Sequence, residues 1–392
     1  MPRPHRNLRF QPPGVTRAAA LTGRAGNSMV PAARNAPCSN AACARARDAA
    51  PGEAPGREPA EPTRRTQLRI LTLIATRLVK AVFVLLLIVI ANFLLIHAAP
   101  GDPAAVMAGE AGAADEKFIA DLRARFGLDQ PFHVQLWTYV SGVLQLDLGY
   151  SYRQQQPVLD LILARLPATL LLTMSAFVIS LTLGILLGVV AAARQGKWTD
   201  SLVTSLSLLF YATPLYWVAL MAVLLFSVQL GWLPGYGYET VGANYTGIDR
   251  VVDVARHLAL PALTLGLFFT AIYMRMTRAS MLEVAGMDYV KTARAKGLSP
   301  GRVQMRHILR NALLPVVTLA GLQAGQLVGG AVLTETVFAW PGIGRLMFEA
   351  LAQRDYNLLL GILLVSAAMV ILFNIITDVI YTIIDPRIGA AP

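Results

Sequence analysis

Five histidines, at positions 5, 97, 133, 257 and 307, and two cysteines, Cys38 and Cys43, are the side chains that could supply nucleophilic, acid–base or metal chemistry. Their spacing supports none of it. The histidines are scattered, no nucleophile sits beside an evident base, and the cysteines have no Cys or His cluster at zinc-site spacing. A phosphate-cradling G-x-x-x-x-G-K-[ST] loop is also missing: Gly196 and Lys197 are adjacent, but Trp198 follows and position 191 is alanine. These observations argue against a membrane-embedded enzyme and against ATP hydrolysis by this chain.

The informative polar stretch is MDYVKTARAKGLSPGRVQMRHILRNALLP, from Met287 to Pro315. Met287 to Lys296 consists of good helix formers with small or apolar residues at Val290, Ala293 and Ala295, and Gly297 reads as a left-handed cap. Ser299 then caps a second helix whose first residue is Pro300, where the missing amide hydrogen costs nothing. A helix of about ten residues is roughly 15 Å long. Tied to apolar runs at both ends, it could transmit a push from a docked protein, or lie as a basic helix on anionic lipid. The small side chains of the Ala-Arg-Ala-Lys-Gly turn favour the protein groove.

The elements that position this stretch are apolar. The 392 residues are 55% hydrophobic and 15% charged, and six runs are long enough for roughly 20-residue membrane-spanning helices: 78–98, 168–192, 203–230, 258–279, 312–334 and 358–384. Pro214 and Pro261 lie in or beside them, which membrane helices tolerate, and Gly184 and Gly188 form a small-xxx-small pattern suited to close packing. Ionisable residues at membrane depth cost about 2.5–3.5 kcal/mol on insertion scales. The runs hold His97 in an interfacial or capping position, Arg275 able to snorkel, and Asp378 expected to pair with a basic neighbour. Such sparsity argues against a secondary carrier with a buried proton relay.

The net charge of +11 does not indicate nucleic acid. Residues 1–80 hold 14 Lys and Arg against Asp48, Glu53, Glu58 and Glu61, which leaves 20 basic and 19 acidic residues in the remainder. The first 66 residues, rich in Ala, Pro, Arg and Gly, read as a disordered tail. Between 275 and 310 there are eight basic residues and only Glu283 and Asp288 as acids, whereas 99–166 has five bases and eight acids. The positive-inside bias places the former, and both termini, in the cytoplasm. A short amphipathic helix is expected near 115–126, stopped by Gly127.

Six segments carry a family resemblance: the 287–315 loop, LLIHAAPGDPA (94–104), FGLDQPFHVQLWTYVSGVLQLDLGYSY (126–152), VQLGWLPGYGY (228–238), TETVFAWPGIGRLMFEALAQRDY (334–356) and the final DPR (385–387). Together they resemble the permease subunits of bacterial ABC importers for dipeptides and oligopeptides, the peptide/nickel transport family, across about 69–389. The resemblance implies an all-α membrane protein of the type I importer permease fold. Its layout is a tail (1–66), a first segment and span (67–98), an extracytoplasmic loop domain (99–166), a five-helix core (167–386) with a coupling loop (280–311), and a short C-terminal tail (387–392). It implies an inner-membrane location, a second homologous permease, two cytoplasmic ATPases that carry ATP and Mg, an extracytoplasmic solute-binding protein, the lipid bilayer as surroundings, and no cofactor in this chain. Substrates of the family include peptides, glutathione and nickel chelates. Aligned on Gly297, the loop resembles the coupling motif by which such permeases dock on their ATPases, with Lys291, Thr292 and Ala293 in the E-A-A places and only the last alanine matching. The resemblance assigns coupling to Tyr289, Thr292, Ala293, Arg294, Ala295, Lys296 and Gly297. It assigns an extracytoplasmic gate or binding-protein contact to Trp340, Pro341, Gly342 and Gly344, with Trp340 expected at the membrane interface. One departure is Leu146, which precedes Asp147 where the family usually has glycine.

Overall fold

The computed structural model describes residues 62–98, 105, 108–109, 115–125 and 129–384; for 62–74, 324–330, 380–384 and a few others it describes the backbone alone. The expected tail lies outside the described residues up to 61, and residues 63–392 form a compact unit of their own. Helix α1, Pro62–Ala98, starts before the expected boundary at 67. It is followed by α2, Glu116–Arg125, and α3, Phe132–Leu144. A two-residue ribbon, β1 Tyr150–Ser151 against β2 Gln156–Pro157, leads into α4, Val158–Ala193. Then come α5, Trp198–Ala212, and α6, Leu215–Ala222, which continues as a π-helical turn, Val223–Gln229. Helix α7 is Gly247–Ala285 and α8 is Asp288–Ala295. A turn at Pro300–Arg302 runs through a π-helical segment, Val303–Leu309, into α9, Arg310–Val337. Helices α10, Ile343–Gln353, and α11, Tyr356–Ile384, complete the chain.

All six apolar runs fall on helices, with one correction. The run 203–230 is not one straight span: α5 and the α6 segment meet at 103°. Thr213 is extended (ψ 135°) and Pro214 follows with φ −55°. The proline has no amide hydrogen to continue α5 and disfavours a helical residue before it. Pro261, by contrast, is absorbed inside α7.

Contacts give the direction of each helix. A Cβ on Gly266 would meet Ile179, one on Gly184 would meet Tyr273, and one on Gly188 would meet Thr277, so α4 and α7 run parallel. The connection between them must therefore return along the bundle, and the bent pair does so: Asp200 meets Arg278, Tyr211 stacks on Phe268, and Ala219 and Val223 pack on Leu260. Helix α1 is antiparallel to α11, with Arg77 on Asp378 at 2.9 Å and Asn92 Nδ2 donating to Leu360 O at 3.2 Å. That ion pair is the partner expected for Asp378. The core lies where α4, α7 and α9 meet, around Leu172, Leu265, Tyr273, Val316 and Trp340. Gly184 and Gly188 serve packing here: their added Cβ atoms would fall 2.5 Å from the Cβ atoms of Tyr273 and Thr277.

Candidate functional site

Two corners at opposite ends of the parallel α4–α7 pair hold the residues singled out in the sequence. The first is built on α8. Val290 and Ala293 are buried against Met281 and Val284 of α7, Val303 and Ile308 of the π-helical segment, and Ala312 of α9. Ile185, Val189 and Ala192 of α4 close the same cluster. A load on α8 therefore reaches three long helices through apolar contact. Tyr289, Thr292, Arg294, Ala295, Lys296 and Gly297 are exposed. The placement corrects the reading of Ala293 as a docking tip, because at 7% exposure it faces inward and the small exposed residue is Ala295.

The end of α8 is fixed by backbone geometry. Gly297 has φ +77°, its N–H donates to Arg294 O at 2.9 Å, and Leu298 N–H reaches Ala293 O at 3.4 Å. These are the two bonds of a Schellman cap. Pro300 occupies the first helical position as expected, but Ser299 makes no side-chain capping bond. The Tyr289 hydroxyl accepts from Asn311 Nδ2 at 2.7 Å, tying α8 to the start of α9. Behind α8 is a cavity of about 450 Å³ lined by Ala192, Gln195, Met281, Arg294, Leu298 and Gln304, among others. Nearby, Arg278 grips Asp200 through two 2.8 Å bonds, and Gly196 N–H donates to the same carboxylate at 3.1 Å. The turn between α4 and α5 is thereby locked to α7.

The second corner joins α9 to α10. Trp340 is fully buried; its indole N–H donates to Ala168 O at 2.8 Å, and its ring lies 4.9 Å from that of Tyr238. It is an interior anchor and not the interfacial residue expected. Gly342 and Gly344 are also buried, and Pro341 is half-buried. A methyl group at 342 would overlap the Glu335 carboxylate, and one at 344 would fall 2.7 Å from Val332 Cα. These glycines are cradles for Glu335 and α9.

Sequence reasoning missed Glu335, which is 0% exposed. Thr169 Oγ1 donates to its Oε1 at 2.7 Å, and Arg345 N–H donates to Oε2 at 3.0 Å. Ile343 N–H donates to Thr169 Oγ1 at 2.7 Å, so the hydroxyl proton points at the carboxylate. Glu335 and Thr169 thus satisfy the first amides of α10, whose N-cap residue, Gly342, has no side chain to do so. Two further carboxylates fasten neighbouring loops. Asp355 accepts from Ser151 Oγ and from Leu358 N–H. Asp253 accepts from both the N–H and the hydroxyl of Thr240 at 2.7 Å.

Among the described residues no three His, Cys, Asp or Glu side chains are grouped to hold a metal ion. His97 contacts Phe93 O and Gln135 Oε1, each at 2.9 Å, and joins α1 to α3. The arrangement suits load transfer between two ends of a helix bundle.

Residues 184–390 match the family described as binding-protein-dependent transport system inner membrane component, and residues 70–173 match that family's N-terminal membrane component. The dipeptide transport system permease protein DppB of Alkalihalophilus pseudofirmus is 41% identical, covering 80% of this chain and 97% of the relative. The di/tripeptide transport system permease protein DppB of Pseudomonas aeruginosa is 42% identical, covering 81% and 99%. The dipeptide transport system permease protein DppB of Escherichia coli K12 is 41% identical, covering 77% and 94%.

Proposed function

The chain belongs to the family of binding-protein-dependent transport system inner membrane components, and from that premise we propose that it carries di- or oligopeptides across the inner membrane as one permease of an ABC importer. The relatives' peptide substrates support the cargo class. The observation that carries the mechanism is α8: a short, basic, capped helix with one face exposed and the other locked to α4, α7 and α9. In this reading a second permease completes the translocation pathway and two ATPases supply ATP and Mg. A solute-binding protein delivers substrate to the end that carries α3 and the 150–157 ribbon. The positive-inside bias puts the α8 corner in the cytoplasm and the Glu335 corner outside.

Motion of an ATPase against Ala295, Lys296 and Gly297 would load α8. Val290 and Ala293 would pass that load to the α7 and α9 ends, and the tightly seated α4–α7 pair would carry it toward the opposite corner. The test is reconstitution with the partner subunits in proteoliposomes, followed by ATP-dependent uptake of dipeptides, longer peptides, glutathione and nickel chelates. Uptake of peptides alone supports the proposal. Uptake of only glutathione or a nickel chelate would reassign the cargo, and no substrate-dependent ATP hydrolysis would refute the importer reading.

A further inference from the structure

We propose that Glu335 is a positioning residue that latches the outer end of the permease shut and makes ATP hydrolysis wait for the binding protein. The proposal rests on the importer reading above. Three hydrogen bonds join the α9–α10 corner to two consecutive residues of α4. They are Trp340 Nε1 to Ala168 O, Thr169 Oγ1 to Glu335, and Ile343 N–H to Thr169 Oγ1. Pro167 sits inside α4 immediately before them. Its missing amide removes one rung of the helix at the point where the corner is held, which makes this a natural place for α4 to bend.

The chemistry of the latch suits a part that opens. Glu335 is buried yet has no side-chain cation as partner among the described residues, because the Arg345 guanidinium is turned to Glu349 at 2.8 Å and to Ala339 O at 2.7 Å. What holds the carboxylate is a hydroxyl and the amide end of α10, where the helix dipole favours negative charge. When the corner parts, the carboxylate regains the hydration it lost on burial. An apolar contact would have no such compensation. Rehydration thus offsets part of the cost of opening, and a docked binding protein has to supply only the remainder as differential affinity for the open arrangement. Gly342 belongs to the device, since any side chain there would displace the carboxylate.

The test uses the full complex, with second permease, ATPases and binding protein, in proteoliposomes. Glu335→Gln keeps the shape and removes the charge; Thr169→Val removes the hydroxyl from the other side; Thr169→Ser keeps it. Loss of one hydrogen bond to a charged acceptor shifts a two-state balance by about ten-fold or more. ATP hydrolysis without binding protein should rise by about that factor for Glu335→Gln and Thr169→Val, and Thr169→Ser should remain dependent on the binding protein. Assembled Glu335→Gln and Thr169→Val complexes with the unsubstituted basal rate would overturn the latch. So would failure of both to assemble while Thr169→Ser assembles, which would make the cluster a folding element. If the unsubstituted complex itself shows no stimulation by binding protein, the importer reading has failed and the latch falls with it.

Discussion

Two alanines separated by one residue should respond oppositely to the same substitution. Ala293 is 7% exposed and seated against Met281, Val284 and Val303, whereas Ala295 is exposed on the outer face of α8. Tryptophan at 293 must force its ring into the cluster that binds α8 to α7 and α9, and overpacking of this kind costs about 1–3 kcal/mol of stability. Tryptophan at 295 would stand on the exposed face of α8 and should leave the melting midpoint unchanged. If the exposed face enters an ATPase groove, the same about 1–3 kcal/mol appears there as a roughly five- to 150-fold loss of assembly. The assays are thermal melting of the purified permease, followed by co-purification with the ATPases and substrate-stimulated ATP hydrolysis. Ala293→Trp should lower the melting midpoint; Ala295→Trp should melt normally and fail to assemble. Full ATPase co-purification by Ala295→Trp would refute docking through this face. A higher affinity for anionic vesicles in the same variant would favour a helix lying on lipid.

Three further outcomes follow from local geometry. Gly188→Ala places a Cβ 2.5 Å from Thr277 Cβ and 2.9 Å from Met274 O and should destabilise by about 1–3 kcal/mol, whereas Gly301→Ala, with open space around it, should be neutral or slightly stabilising; equal shifts in melting would contradict the seam. Leu146 has φ +63° and is 67% exposed, so Leu146→Gly should raise the melting midpoint, its relief of about 1–2 kcal/mol of left-handed strain being offset in part by the greater freedom of glycine in the unfolded chain, and a lowered midpoint would contradict the assignment of strain. In intact cells a membrane-impermeant thiol reagent should label a cysteine at 249 and not one at 302, and labelling at 302 would reverse the proposed orientation.

Much of the frame was legible because membrane helices announce themselves by length and apolarity, and because caps depend on local residues. Gly297, whose place after Lys296 predicts a left-handed cap, has φ +77°. The short helix expected near 115–126 appears as Glu116–Arg125, although Gly127 lies outside the described residues. Leu146 is a sharper case. Asp147 N–H donates to Gly142 O at 2.9 Å and Leu146 N–H to Val143 O at 3.0 Å, a Schellman cap closing α3 with leucine in the glycine position. The sequence pointed to the unusual residue, and the structure shows the conformation that makes it unusual.

What stayed hidden depended on partners distant in sequence. Val290 and Ala293 both carry small or apolar side chains, but only the fold of 303–312 against α8 decides that Ala293 points inward and Ala295 outward. The elbow at Pro214 was legible as a proline but not as a 103° bend. Glu335 shows the limit most clearly. A span drawn to end at 334 left it outside the membrane, where an acid needs no explanation; drawn to Val337, where α9 ends, the same acid becomes a buried charge that demands one. Its partners come from 166 residues earlier in Thr169 and from the backbone of a helix not yet begun, so no local pattern marks them. Three buried carboxylates at the end away from α8, Asp253, Glu335 and Asp355, each take a hydroxyl donor from another element: Thr240, Thr169 and Ser151. A charge satisfied by hydroxyls and amides can be released to water without stranding an opposite charge, which an ion pair such as Asp200–Arg278 would do. Carboxylate–hydroxyl contacts thus gather at the end of the bundle away from α8, beside the pairs Arg345–Glu349 and Arg250–Glu239, whereas the turn between α4 and α5 at the α8 end is held by the bidentate pair Asp200–Arg278.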